Sequence, residues 1–210
     1  MTPGEFLQRL GKERASAILR TGDHELARLA MEAAVRGGFR VVEFTLTIPG
    51  VFELIKEFAA KPDLVVGAGT VLTEEDADAA VNAGAQFLVS PVKDLKVIAR
   101  ATKLNVASVP GCSTPTELLD AYRAGATLQK LFPEQGIGPA FLRQVLGPLP
   151  FLKIVPTSGV TLANAAEYLR AGAYSVGFVN SLFEPLDIAN RNWDAISARA
   201  SDMLKAVKSN

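Results

Sequence analysis

A chain of 210 residues with 22 basic and 22 acidic side chains carries no formal net charge, which excludes the basic excess of a nucleic-acid-binding protein. With 49% hydrophobic and 21% charged residues it is neither disordered nor fibrous, and it is long enough for one domain with a sizeable core. No apolar run approaches the ~18 residues that span a bilayer, and Met1 to Gly11 lacks the long apolar stretch of a signal peptide, so no membrane association and a cytoplasmic location are expected.

A short N-terminal helix precedes a first strand at Ala15–Arg20. Helix His24–Arg36 leads to strand Val41–Thr47, and helix Val51–Ala60 to strand Leu64–Gly69. Thr73 followed by Glu74, Glu75 and Asp76 is a helix-capping signature, with acids against the positive helix end; it opens helix Glu74–Ala83 before strand Phe87–Pro91. Helix Asp94–Lys103 and strand Asn105–Pro110 follow, then helix Thr116–Arg123 and strand Thr127–Phe132. The series continues with helix Ala140–Leu146, strand Phe151–Thr157, helix Leu162–Arg170 and strand Tyr174–Val179.

One phrase repeats along this series. Gly37, Gly84, Gly125 and Gly172 each sit between the end of an amphipathic helix and a β-rich run, at intervals of 47, 41 and 47 residues. A glycine there is expected in the left-handed conformation that ends a helix. Half of each interval is about the length of one short strand-plus-helix unit. Eight such units predict a closed (β/α)8 barrel rather than an open doubly wound sheet, as a single domain over residues 1–210 with an extra N-terminal helix.

The active site of such a barrel lies at the C-terminal ends of its strands. Alternation in the second strand puts Val41, Glu43, Thr45 and Thr47 on one face and the apolar Val42, Phe44 and Leu46 on the other. The apolar face belongs against the outer helices, so Glu43 points inward. In the sixth strand Lys130 shares a face with Leu128 and Phe132, and parity alone leaves its direction open. A lysine and a glutamate in one barrel form either a buried ion pair or a Schiff-base site, in which a desolvated amine attacks a ketone and the acid moves protons. Lowering a lysine pKa from about 10.4 to ~7 corresponds to roughly 4–5 kcal/mol, which suits a functional position. Lys153 lies near the N-terminal end of its strand, at the barrel floor, and is the weaker nucleophile. Ser158 and Gly159 after the seventh strand and Ser181 after the eighth occupy the loops where this fold cradles phosphate. A single cysteine, Cys112, and a single histidine, His24, provide no scaffold for a metal cluster or a Ser-His-Asp triad. Cys112 reads as a loop residue and His24 as a surface or capping residue.

These segments resemble the KHG/KDPG aldolase family, class I enzymes acting on 2-keto-3-deoxy-6-phosphogluconate. The resemblance runs from about Ala17 to Leu204 and rests on an ordered set: Ile18-Leu19-Arg20, Val42 to Thr47, Gly67-Ala68-Gly69-Thr70-Val71, Val89-Ser90-Pro91, Val109-Pro110-Gly111, Lys130-Leu131-Phe132-Pro133 and Pro156-Thr157-Ser158-Gly159. It implies an imine between Lys130 and pyruvate, with Glu43 shuttling protons through water and no metal or other cofactor. It also implies that Thr70 bonds the pyruvyl carboxylate, that Pro91 and Phe132 wall the pocket, and that Arg20 supplies positive charge. The implied partners are a phosphorylated 2-keto-3-deoxy sugar acid, pyruvate and two further copies in a homotrimer.

The chain departs from the family pattern at two places. Many members carry arginine where this chain has Thr47, which shifts carboxylate binding toward Arg20. The phosphate segments read Thr157-Ser158-Gly159 and Val179-Asn180-Ser181 in place of Thr-Gly-Gly and Gly-Gly-Ser, adding side chains where phosphate meets backbone. The substrate series (gluconate, galactonate or 4-hydroxy-2-oxoglutarate) stays open. A phosphosugar isomerase or synthase, and a non-catalytic metabolite-binding barrel, are the alternative readings from other classes.

Overall fold

A computed structural model describes residues 1–134 and 136–208. In chain order the elements are α1 (Pro3–Glu13), β1 (Ala15–Leu19), α2 (His24–Arg36), β2 (Val41–Thr45), α3 (Val51–Ala59), β3 (Val65–Gly69), α4 (Glu74–Asn82), β4 (Phe87–Ser90) and α5 (Leu95–Lys103). They continue with β5 (Ala107–Cys112), α6 (Pro115–Arg123), β6 (Gln129–Leu131), α7 (Pro139–Leu146), β7 (Ile154–Pro156), α8 (Ala165–Arg170), β8 (Val176–Phe178), α9 (Pro185–Ala189) and α10 (Trp193–Lys208). All the strand pairs are parallel, in the order β7-β6-β5-β4-β3-β2-β1-β8. The result is a nearly closed eight-stranded barrel of the TIM type. Between β7 and β8 the seam has no ladder of its own; Tyr174 N–H donates to the Ile154 carbonyl across it (2.9 Å).

Strand parity separates two apolar shells. Val41, Val65, Val89, Val109, Leu128 and Val155 point into the barrel, while Val42, Phe44, Val66, Leu88 and Leu131 pack outward against the helices. The barrel floor is plugged by α1. Thr2 and Glu5 cap each other's backbone N–H groups at its start, and its inner face inserts Phe6 and Leu10 into the inner shell. The Phe6 ring stacks on Phe87 with centroids 4.5 Å apart, and the Tyr174 hydroxyl ties the helix down by donating to the Leu7 carbonyl (2.7 Å).

The expected glycine C-caps hold at Gly84, Gly125 and Gly172, whose φ values are +109°, +91° and +104°. At the first repeat the left-handed residue is Gly38 (φ +112°), whereas Gly37 is right-handed. Gly37 answers a different need: a Cβ there would run into Ser197 and Ala200 of α10, which crosses α2 at this point. Several strands are shorter than their β-rich runs, although residues just outside them, such as Leu46 and Phe132, still donate to the neighbouring strand's end. Two helices, α9 and α10, follow β8 where the sequence patterning placed none. In the other direction β5 runs on through Gly111 and Cys112, pairing them with Lys130 and Leu131. Cys112 therefore faces the outer shell with Leu131, and burial, reinforced by Glu117, pushes its thiol up to about 12. It is a strand residue, not the loop residue expected from the sequence.

Candidate active site

At the C-terminal end of the barrel the strands open into a cavity of about 420 Å³. Arg20, Glu43, Thr70, Pro91, Lys130, Phe132, Ser158, Gly159 and Ser181 all line it. Thr47 does not. The ladder of β2 ends at Thr45, the chain turns, and Thr47 is left exposed, its hydroxyl sharing a 2.9 Å hydrogen bond with that of Thr45 on the wall.

The parity left open in β6 resolves inward. Leu128 belongs to the inner shell, and Lys130, one pleat further up, points the same way between Gly111 and Val155. Its Nζ stands 4.9 Å from the centre of the Phe132 ring, near enough for a cation–π contact. Glu43 enters from β2, paired with Ile18 and Gly67. Its carboxylate fits because β3 carries Gly69 beside it; a Cβ on Gly69 would collide with the Glu43 side chain. Glu43 is 3% exposed and Lys130 9%.

Burial governs the electrostatics. Loss of water raises the Glu43 pKa, against the opposing fields of Lys130 and Arg20. Loss of water likewise lowers the Lys130 pKa, with Arg20 lowering it further and Glu43 opposing. Both shifts favour the uncharged forms, an amine and a carboxylic acid. The two groups act on each other through space, with no hydrogen bond between them. Arg20 leans across the mouth and donates from Nη2 toward Thr70 Oγ1 at 3.4 Å, and among the described residues it makes no ion pair. Thr70 itself sits in the left-handed region (φ +63°), where a threonine is strained, directly after β3.

The opposite wall belongs to the loops after β7 and β8. Asn164 braces the first loop, accepting from Thr161 N–H (2.8 Å) and donating to the Gly159 carbonyl (2.9 Å). Ser181 joins the two loops by donating its hydroxyl to the Val160 carbonyl at 2.6 Å. Among the described residues the backbone N–H groups of Ser158, Gly159, Val160, Asn180 and Ser181 make no hydrogen bond. A set of free amides on two clamped loops is suited to an anion. The side chains of Ser158 and Asn180 stand on the same wall.

Thr45, Thr157 and Thr161 also line the cavity, beyond the residues assigned a site role from the sequence. Two of them were accessible from alternation alone, since Thr45 shares a face with Glu43 and Thr157 shares one with Val155. Thr157 is 5% exposed and its hydroxyl has no partner among the described residues. Space for it comes from Gly177 on β8, where a Cβ would lie 2.8 Å from the Thr157 methyl. His24 opens α2 behind the Asp23 cap, with Nδ1 3.0 Å from the Pro49 carbonyl, away from the cavity.

A family model described as KDPG and KHG aldolase matches residues 7–199. The chain belongs to the KDPG and KHG aldolase family. Members of this family are lyases. The 2-dehydro-3-deoxy-6-phosphogalactonate aldolase of Escherichia coli K12 is 32% identical over 199 residues, covering 91% of this chain and 93% of that protein. The 2-dehydro-3-deoxy-phosphogluconate aldolase of Pseudomonas aeruginosa is 39% identical over 152 residues, 71% of this chain and 69% of that protein. Among solved structures, the KDPG aldolase of Legionella pneumophila with pyruvate captured as a covalent carbinolamine superposes with a TM-score of 0.84 at 28% identity, covering 96% of this chain and 97% of that one. An aldolase that captures pyruvate covalently on this fold is consistent with a barrel holding a buried lysine and carboxylate.

Proposed function

We propose that this aldolase cleaves 2-keto-3-deoxy-6-phosphogluconate to pyruvate and glyceraldehyde 3-phosphate through an imine on Lys130. The observation that carries the reading is the burial of Lys130 and Glu43 together at one end of the cavity, with free backbone amides at the other. The neutral amine adds to the C2 ketone, and Glu43 as the carboxylic acid gives its proton to the departing hydroxyl, so that loss of water leaves a protonated imine and a Glu43 carboxylate. Glu43 removes the proton of the C4 hydroxyl, directly or through a water, as the C3–C4 bond breaks. The electron pair moves into the imine, leaving an enamine. Reprotonation at C3 and hydrolysis then release pyruvate and free Lys130.

Arg20 and the Thr70 hydroxyl receive the substrate carboxylate, and Pro91 and Phe132 wall the pyruvyl group. Ser158, Gly159 and Ser181 hold the phosphate. Thr47 is not among the cavity-lining residues, so we assign the part expected of it in carboxylate binding to Thr45 and Arg20. No metal takes part. The chain works as a homotrimer, for which the exposed apolar side chains of Leu72 after β3, Val92 after β4 and Leu95 at the start of α5 offer contacts.

A second reading, cleavage of the 6-phosphogalactonate epimer, is favoured by the Escherichia coli relative, which spans 91% of this chain. The two readings are separated by measuring pyruvate release from both epimers and from 4-hydroxy-2-oxoglutarate. The first expects the highest kcat/KM on the gluconate series, and a preference for the galactonate epimer replaces it with the second.

A further inference from the structure

Beneath the Lys130–Glu43 pair, on the floor side, the barrel leaves a second and much smaller void of about 20 Å³. Glu43, Lys130 and Thr157 border both this void and the large cavity, so they form the partition between them. Phe6 and Leu10 of the α1 plug close it from below. Among apolar walls, one further polar side chain reaches it, Ser16, which is 6% exposed and sits on the inward face of β1 opposite Gly177. A void this size admits one water, which needs roughly 10–15 Å³ and two to four polar partners. The partners are present: two hydroxyls, one carboxylate and one ammonium. The Thr157 hydroxyl, otherwise unpartnered among the described residues, supplies a buried group in need of one.

We propose that this void holds a single water, hydrogen-bonded to Ser16 and Thr157, that carries a proton from the Lys130 ammonium to the Glu43 carboxylate and so arms the amine. The chemistry balances without an outside base. A Lys130 N–H bond breaks as the water oxygen takes that proton, and the water gives up another of its protons to a Glu43 oxygen. The products are a neutral amine, a carboxylic acid and the same water. A bridge is needed because the two groups make no direct hydrogen bond, and burial on both sides favours the neutral products. Ser16 is a positioning residue in this scheme. It touches neither the substrate nor the Lys130 and Glu43 atoms that exchange the proton, and acts by holding the water.

The inference rests on the Schiff-base reading, and its test keeps the two apart. The rate of pyruvate trapping by borohydride is followed in wild type, Ser16→Val and Ser16→Thr, and high-resolution crystals of each show whether the void holds a water. Wild type and Ser16→Thr are expected to hold the water and trap at similar rates. Ser16→Val is expected to lose the water and slow trapping at saturating pyruvate by ~10-fold or more, with half-saturation unchanged. Ser16→Ala, which adds no bulk should valine prevent folding, is expected to slow it about 3–10-fold, the worth of one hydrogen bond. A wild type that traps pyruvate over a dry void, or serine variants that all trap at the wild-type rate, overturns this proposal and leaves the aldolase reading standing. A wild type that traps no pyruvate overturns both.

Discussion

Glu43 and Lys130 enter the barrel from strands on opposite sides, β2 and β6, and share its interior without a hydrogen bond between them. A buried ion pair kept for stability would close that gap, because each charge gives up water and only direct contact offsets the loss. A pair held apart at the base of a cavity leaves both groups able to change protonation. Replacing both, in a Lys130→Met/Glu43→Gln double variant, is therefore expected to raise stability by roughly 1–4 kcal/mol in urea unfolding while abolishing aldol cleavage. The sign follows from the shifts. The gain from replacing Glu43 grows as pH rises through its raised pKa, and the gain from replacing Lys130 grows as pH falls through its lowered one. A destabilised double variant would show that the pair serves the fold.

Glu43→Gln alone keeps the shape and removes the titrating group. Turnover is expected to fall by ~10²–10⁴, with circular dichroism unchanged. The wild-type rate is expected to survive EDTA, since the described residues contain no group of three or more His, Cys, Asp or Glu placed to hold a metal. Activity lost to the chelator and restored by zinc or magnesium would contradict this.

Gly69→Ala tests how tightly the acid is placed. The added Cβ collides with the Glu43 carboxylate and displaces it toward the cavity that it lines. Turnover is expected to drop by ~10², the usual consequence of moving a catalytic group by about 1 Å. A variant with wild-type turnover would place the working position of Glu43 elsewhere.

Much of this arrangement is legible in the residues. Period-two alternation gives Glu43 its inward direction, and spacing between helix-ending glycines gives the eight-fold architecture. Other features depend on contacts that no local pattern encodes. Gly37 is required by the close crossing of α10, whereas the left-handed turn falls on Gly38, two residues past the last helical one as at Gly84, Gly125 and Gly172. Thr47 continues the inward alternation on paper, but the ladder stops at Thr45, where Gly69 ends its partner strand. Cys112 follows a Pro-Gly pair that reads as a turn, yet pairing with β6 keeps it in the sheet. Ser16 lies among alanines and shows its polar neighbours only once α1 and β7 close around it.

The loops after β7 and β8 are tested at Ser181, whose hydroxyl pins one to the other through the Val160 carbonyl. Ser181→Asp removes that donor and adds a negative charge beside the free amides. The KM for a phosphorylated substrate is expected to rise by like-charge repulsion, with a smaller effect on pyruvate imine formation. Equal catalytic efficiency of the wild type on phosphorylated and unphosphorylated substrates would show that these amides bind no phosphate.

The most direct measurement is peptide mapping after incubation with pyruvate and borohydride across a pH series. The account predicts one reduced pyruvyl adduct, on the peptide containing Lys130. Its rate should rise with pH along a limb lying below the ordinary lysine range of about 10.4, because burial lowers the Lys130 pKa. An adduct on Lys153, or none at any pH, would contradict it.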